Sequence, residues 1–367
     1  MARGAKFLLV EPKATTPYPP LGLMRISSML KSEHPKCMVR WQVGCGLPDV
    51  AFRPERIYVT SLFTWDLDVV VRTVRFYRDK FPRAEVLVGG VAASLAPDFV
   101  AAQTGVSPHV GIFPRAEESP PDYEMTFGRS FTESLTSTTR GCPHHCSFCA
   151  VPRLEPAFAH RDGWDRDLRS GSTRIVLWDN NFLASPRLDA DADTLRRLRK
   201  KVDFNQGLDA RLFNKARSDL LRGVDVDPWR FAFDSVKIEP FLVKAISRAK
   251  RLSNREVRVY VLYNHLDTPE DLYYRLDRIN RMKALAFPME YRGPEPGRQK
   301  LPGPNWDTSL LRAFKLSLLY YYHRGMITES RESFLSIYGH NAQEFAEKLH
   351  SIYLYDKQLK RKKKDPE

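Results

Sequence analysis

Three cysteines within eight residues constrain this chain more than any other feature. Cys142, Cys146 and Cys149 stand at i, i+4 and i+7 in Thr139-Arg140-Gly141-Cys142-Pro143-His144-His145-Cys146-Ser147-Phe148-Cys149. Thiolates at that spacing can wrap one corner of an iron–sulfur cluster. A 4Fe–4S cluster has four irons, so three cysteines leave one iron open to a substrate or cofactor, as catalytic zinc keeps one position open. The competing reading is zinc held by the three thiolates with His144 or His145. It asks for a fourth ligand at paired spacing inside a small finger-like module. Cys37 and Cys45 bring the total to five. An odd count is a poor disulfide framework and fits a reducing compartment, and both are read as ordinary thiols.

The cysteines sit inside a long alternation of strand and helix signals. Over residues 1–115 the strand-like runs are Phe7–Val10, Met38–Val43, Ile57–Thr60, Val86–Val88 and Val110–Phe113. Leu23–Lys31 and Leu67–Phe76 carry helical spacing, the second with Asp66 as its cap. This predicts a doubly wound, mostly parallel sheet. Residues 116–130, rich in Pro, Glu and Ser, read as a linker. A second series runs over 131–295, with strands expected at Leu135–Thr139, Arg174–Trp178, Asp203–Gln206, Arg230–Phe233, Val257–Leu262 and Ala286–Tyr291. Helices are expected at Asp193–Lys201 and Pro240–Leu252. Six β/α units of this length suggest a full or partial barrel, whose working groups sit at the C-terminal strand ends. From residue 296 the pattern is helical, clearest over Leu310–His323, and it ends in the basic run Lys360–Lys364.

The cysteine segment resembles the radical S-adenosylmethionine (SAM) signature: CxxxCxxC with Gly141 before it, Pro143 inside it and aromatic Phe148 before the last cysteine. The resemblance covers about residues 130–295. It implies an α/β protein in which a Rossmann-like domain precedes a partial β/α radical SAM barrel and a helical extension. It also implies a 4Fe–4S cluster on the three cysteines, SAM as cofactor and an electron donor such as flavodoxin or ferredoxin. Phe148 then belongs to the SAM site. Asp179 and Asn180, after the second strand of the series, suit the SAM amino group, with helix capping as the alternative. Asp209 suits ribose hydroxyls and Arg211 the SAM carboxylate, with a structural Asp–Arg pair as the alternative. Phe233-Asp234-Ser235 resembles the family's Glu-Ser at the fourth strand end. Thr268-Pro269-Glu270-Asp271 reads as an N-cap followed by Pro in the first helical turn.

Residues 1–115 resemble the cobalamin-binding domain that precedes many such modules, through Tyr18–Leu23 and Val88-Gly89-Gly90-Val91. The glycine pair lets backbone approach a bound tail. The Asp-x-His-x-x-Gly motif of histidine-ligated cobalamin is missing, and neither His34 nor His109 stands in that context. Trp65 is either a residue lying against the corrin or a core aromatic. The alternative is a ligand-free Rossmann-like scaffold.

The expected activity is reductive SAM cleavage, with cobalamin-dependent methyl transfer as one branch. A tRNA- or RNA-modifying enzyme and a non-catalytic cluster protein are the alternatives. The formal charge of +14 permits an anionic partner such as RNA. No run of about 18 apolar residues marks a membrane span, and the N-terminus lacks a signal-peptide pattern, so a cytoplasmic location is expected.

Overall fold

A computed structural model describes residues 4–297, 301–327 and 330–364, with side chains at 324 and 359–364 left out. The basic run expected at Lys360–Lys364 therefore has its backbone but not its side chains among the described residues. The chain divides into two units, Met1–Trp178 with Gly293–Gln299, and Asp179–Arg292 with Lys300–Glu367.

The first unit opens with four short parallel strands: β1 (Lys6–Glu11), β2 (Met38–Val43), β3 (Arg56–Val59) and β4 (Glu85–Val88). They lie in the order β2-β1-β3-β4, so the chain winds outward in both directions from β1. Alternation in β1 builds both faces. Leu8 and Val10 join Ile57, Val59, Val86 and Val88 on one side, under α2 (Leu67–Lys80), α3 (Val91–Leu95) and α4 (Pro97–Thr104). Phe7, Leu9 and Tyr58 face α1 (Leu21–Glu33) on the other, with Leu23, Met24 and Leu30. That second core takes in Ala116 from α5 (Pro114–Glu117), Met125 and Phe127, all from the Pro-rich stretch, and ends on Leu135 and Val176.

Two sequence expectations fail in this unit. Val110–Phe113 is not a strand. His109 N–H reaches Val88 O at 2.8 Å, but Gly111 at φ +83° turns the chain away, and its N–H binds Ser94 Oγ. Asp66 occupies the N-cap position without a side-chain cap bond; its carboxylate pairs instead with Lys13 Nζ at 2.9 Å. The strand expected over Leu135–Thr139 forms as two pieces, β5 (Ser134–Thr136) and β6 (Thr139–Arg140). The break falls where Arg161 takes both carbonyls, its N–H on Thr138 O and its guanidinium on Ser137 O, each at 2.7 Å. β6 pairs antiparallel with β7 (Ala159–His160), and β5 pairs in parallel with β8 (Arg174–Leu177). Between β6 and β7 lies α6 (Val151–Leu154).

The second unit continues the parallel β/α pattern through α7 (Leu188–Leu198), β9 (Lys201–Phe204), α8 (Lys215–Leu220), β10 (Asp225–Val226), β11 (Trp229–Ala232), α9 (Glu239–Leu252), β12 (Val257–Tyr263), α10 (Pro269–Arg281) and β13 (Leu285–Glu290). β9 pairs with β10, and β11, β12 and β13 form a parallel sheet in chain order. A parallel bridge from Leu208 to Phe231 ties the segment after β9 to β11. In β12 every second residue is buried, Val257, Val259, Val261 and Tyr263. Thr268 caps α10 in a full capping box with Asp271, with Pro269 in the first turn. Three helices follow: α11 (Thr308–Tyr321), α12 (Arg331–Tyr338) and α13 (Ala342–Lys364). They enclose Phe314, Phe334, Tyr338 and Phe345, all fully buried. The protein is thus α/β with parallel sheets and a helical C-terminal region. Among the described residues no helix is long and apolar enough to cross a membrane.

Candidate metal centre

The cysteine loop starts where β6 ends. Gly141 takes φ +73°, and a Cβ there would collide with the Ala157 carbonyl oxygen, so only glycine fits. The β6–β7 ribbon closes the base of the loop, with Thr139 opposite His160 and Arg140 opposite Ala159. Inside it the His144 N–H points at Cys142 Sγ, 3.5 Å away, and Cys149 N–H donates to Cys146 O at 3.0 Å. Cys142, Cys146 and Cys149 are partly exposed thiols, and Phe148 is half-buried beside them in sequence. Among the described residues no three His, Cys, Asp or Glu side chains converge as a site for a metal ion. The donor set itself fits an iron–sulfur cluster: three soft thiolates in one loop, with a backbone N–H aimed at a sulfur.

An alternating network of charges braces the loop. Glu155 Oε2 accepts the Gly141 N–H at 2.6 Å. Arg140, one residue before Gly141, clasps Glu117 through Nε at 2.9 Å and Nη2 at 2.7 Å. Arg161 Nε meets the same carboxylate at 2.7 Å. A second acid, Asp167, receives Arg25 Nη2 at 2.5 Å, Arg161 Nη1 at 3.1 Å and Thr136 Oγ1 at 2.7 Å. Arg25 is 2% exposed, so this pairing is what makes its burial tolerable. Burial raises the Glu117 carboxyl, but Arg140, Arg25 and Arg161 outweigh it and hold the group below its ordinary value. The sequence reading missed every acid in this network. Glu117 lies in the stretch read as a linker, and Arg25 and Asp167 are far apart in the chain.

In the second unit Asp179 is buried and Asn180 half-buried. The neighbouring Asn181, not singled out from the sequence, donates through Nδ2 to Asp209 Oδ2 at 3.3 Å. Asp209 also accepts from Arg211, on Oδ1 from N–H at 3.0 Å and Nε at 2.8 Å, and on Oδ2 from Nη2 at 2.8 Å. Asp209 and Arg211 therefore hold each other. Asp234, past the end of β11, is pushed up to about 6 by burial, against the pull of Arg275 and Arg211. Arg275 is fully buried and fastens this end of the sheet, donating through Nη1 to Phe233 O at 2.8 Å and Leu262 O at 2.7 Å, and through Nη2 to Asp267 at 2.7 Å. Nothing in its local sequence marks it.

Gly89 and Gly90 border a cavity of about 470 Å³ in the first unit, with Leu23, Ile26 and Phe113 in its wall and Glu117, Arg140 and Glu155 at its edge. Gly90 has φ +95°, and a Cβ would collide with Ser61 backbone, so the turn itself requires glycine there. Trp65 is 41% exposed and stacks on Phe63 at 4.4 Å, which corrects the reading of it as a core aromatic. Cys37 is half-buried, and burial pushes its thiol up; Cys45 is exposed, with its sulfur 3.8 Å from Thr73 Oγ1.

No family model matches the chain, and no curated protein matches it. Among solved structures, a crystal structure of Streptococcus suis SuiB bound to S-adenosylmethionine is similar, with a TM-score of 0.38 and 15% identity over 52% of this chain and 47% of that one. The chain thus spans about half the length of that protein.

Proposed function

We propose that this chain is a radical SAM enzyme whose 4Fe–4S cluster is held by Cys142, Cys146 and Cys149. The observation that carries the reading is the three thiols of one loop, opened by a glycine no other residue can replace and anchored at its base by Arg140 and Glu155. Such a cluster, held by Cys142, Cys146 and Cys149, would supply the electron for reductive SAM cleavage and so give access to radical chemistry on a substrate. The electron comes from an external donor of the flavodoxin or ferredoxin class.

The chain's own residues bind and orient. The β6–β7 ribbon fixes the loop ends, and the His144 N–H stabilises charge on the Cys142 sulfur. In the second unit we assign Asp179 and Asn180 to the SAM amino group, Asp209 to the ribose and Arg211 to the carboxylate. The assignment rests on where these residues stand, just past the C-terminal ends of β8 and β9 in the parallel β/α series.

Cobalamin-dependent methyl transfer is the favoured branch. It is supported by the cavity beside Gly89 and Gly90, at the C-terminal end of a parallel strand where open α/β sheets take their ligands. The test is anaerobic reconstitution with iron and sulfide, reduction, and assay of 5′-deoxyadenosine with and without hydroxocobalamin. Turnover of SAM to 5′-deoxyadenosine is expected. Asp209→Ala and Arg211→Ala should each weaken SAM binding by about 1–3 kcal/mol, the worth of a charge-assisted contact. A reconstituted, reduced protein that leaves SAM intact overturns the enzyme reading. One that cleaves SAM but neither binds hydroxocobalamin nor forms S-adenosylhomocysteine removes the methyl-transfer branch alone.

A further inference from the structure

The cavity of the first unit and the cysteine loop share side chains. Arg140 ends β6, the strand that enters the loop, and Leu154 and Glu155 stand at the end of α6, the helix that leaves it. All three border the cavity. Glu155 Oε2 accepts the Gly141 N–H at 2.6 Å, and its Oε1 lies 3.5 Å from Arg140 Nη1. The residue at the exit of the loop thus holds the two residues at its entry. An occupant of the cavity touches that clasp directly.

The wall defines the occupant. Two arginines and two glutamates border the space, Arg25, Arg140, Glu117 and Glu155. Each is already answered: Arg25 pairs with Asp167, and Arg140 pairs with Glu117 and Glu155. The ring of His109, also in the wall, is held by Ile112 O at 2.9 Å. The wall therefore offers no net charge for a ligand to match, and an ion entering it would be buried unpaired, which is costly. Most of the remaining lining is apolar, with Leu23, Ile26 and Phe113 in it. At about 470 Å³ the space is of small-molecule size.

We propose that this cavity binds an uncharged, mainly apolar small molecule or group, and that its occupancy is coupled to the cysteine loop through Arg140 and Glu155. Coupling of this kind is reciprocal: an occupant that settles the clasp settles the thiols, and a settled loop favours the occupant. The proposal rests on the reading of the loop as the seat of the cluster for its use. Its measurement precedes iron loading, so it can fail while SAM cleavage stands.

The experiment titrates the full chain, anaerobic and before iron loading, with prodan, an uncharged naphthalene dye, and with the anionic dye anilinonaphthalene sulfonate. Prodan should bind with micromolar affinity, and the sulfonate at least about tenfold more weakly, because its charge finds no partner in the wall. Gly89 has an ordinary backbone conformation, and the nearest atom to a Cβ there is 3.8 Å away. Gly89→Leu should therefore fold and weaken prodan at least about tenfold by filling the space. Ile26→Trp is a second filling variant, and circular dichroism checks both. Coupling is read from alkylation of Cys142, Cys146 and Cys149 by iodoacetamide, followed by mass spectrometry with exposed Cys45 as internal reference. Saturating prodan should slow the loop thiols about fivefold relative to Cys45, the lower end of an ordinary two-site coupling. Glu155→Ala should still bind prodan but lose that protection, because the Gly141 N–H then has no carboxylate to receive it. Hydroxocobalamin as competitor separates two sources of the group: displacement of prodan assigns an arm of that cofactor, indifference a free molecule, with protection of the thiols expected from either. Equal affinity for the two dyes, prodan binding untouched by both filling variants, or loop thiols indifferent to saturating prodan would each overturn the proposal.

Discussion

Gly141 and the three thiols of its loop carry their consequences one residue at a time. A thiolate ligand has no substitute among neighbouring groups of the same softness. Replacing Cys142, Cys146 or Cys149 by Ala should therefore strip iron and the brown colour from anaerobically prepared protein, read by iron analysis and visible absorbance. Cys37→Ala and Cys45→Ala should retain full iron, since one sulfur lies half-buried against Leu30 O and the other beside a threonine hydroxyl. Gly141→Ala is the more instructive change. It keeps all three thiols but puts a methyl group on the Ala157 carbonyl and asks a non-glycine residue to hold φ +73°. Iron content well below wild type, in a chain that still folds by circular dichroism, is the expected result. Full iron occupancy in this variant would mean the loop opening is not what shapes the ligand set.

At the scale of elements, the parallel sheet β11-β12-β13 depends on one side chain that none of its strands contributes. Arg275 of α10, itself fully buried, donates to carbonyls at the ends of β11 and β12 and pairs with Asp267. Removing one member of a buried pair leaves the other charged and unpaired, at a cost of about 3–5 kcal/mol. Arg275→Ala should lower the unfolding free energy by about that much in denaturant titrations. Arg275→Lys should recover only part, because an ammonium cannot reproduce the planar fork that reaches both carbonyls and the carboxylate. A loss under about 1 kcal/mol for the alanine variant would show that the strand ends find other partners.

For the whole molecule, stability should respond to pH through buried carboxyls displaced in opposite directions, Asp234 and Glu117 among them. Asp234 titrates near 6 in the folded state, above its ordinary value. Its contribution is complete below that ordinary value and is lost as pH rises through about 6. Glu117 is held low by its arginines, so its contribution is present above the ordinary carboxyl value and lost as pH falls. Each unit of displacement is worth up to about 1.4 kcal/mol. Asp234→Asn should lessen the decline in melting temperature between about pH 4 and 6, the raised carboxyls of Glu11 and Asp267 carrying the rest, while leaving the acid limb unchanged. An unaltered profile would place that titration on another group.

The continuous apolar run of β1 and the period-two burial of β12 made both strands legible in advance, because each is a local property of the chain. Val110–Phe113 misled for the same reason: its composition suits a strand, but a glycine with positive φ and a hydroxyl from α3 decide otherwise. The cysteine loop was legible as a spacing. Its supports were not, because Glu117, Arg140, Arg161, Asp167 and Arg25 become neighbours only once the first unit has folded. Arg275 was hidden among the exposed-looking charges of an amphipathic helix, where sequence pattern does not separate a solvated arginine from a buried one.

The hold of Glu117 on Arg140 also bears on how this chain came to be assembled. A cut at residue 115 or 130 looks natural on composition, as though a sheet-bearing cassette had been joined to a cysteine-bearing one. Yet either cut would separate partners: the first parts Arg25 from Glu117 and Asp167, and the second parts Glu117 from Arg140 and Arg161. A cysteine segment cut at 130 would keep Glu155 and Asp167 but lose Glu117, the acid that Arg140 and Arg161 share. A break at either point therefore takes a member out of the charge network that braces the cysteine loop.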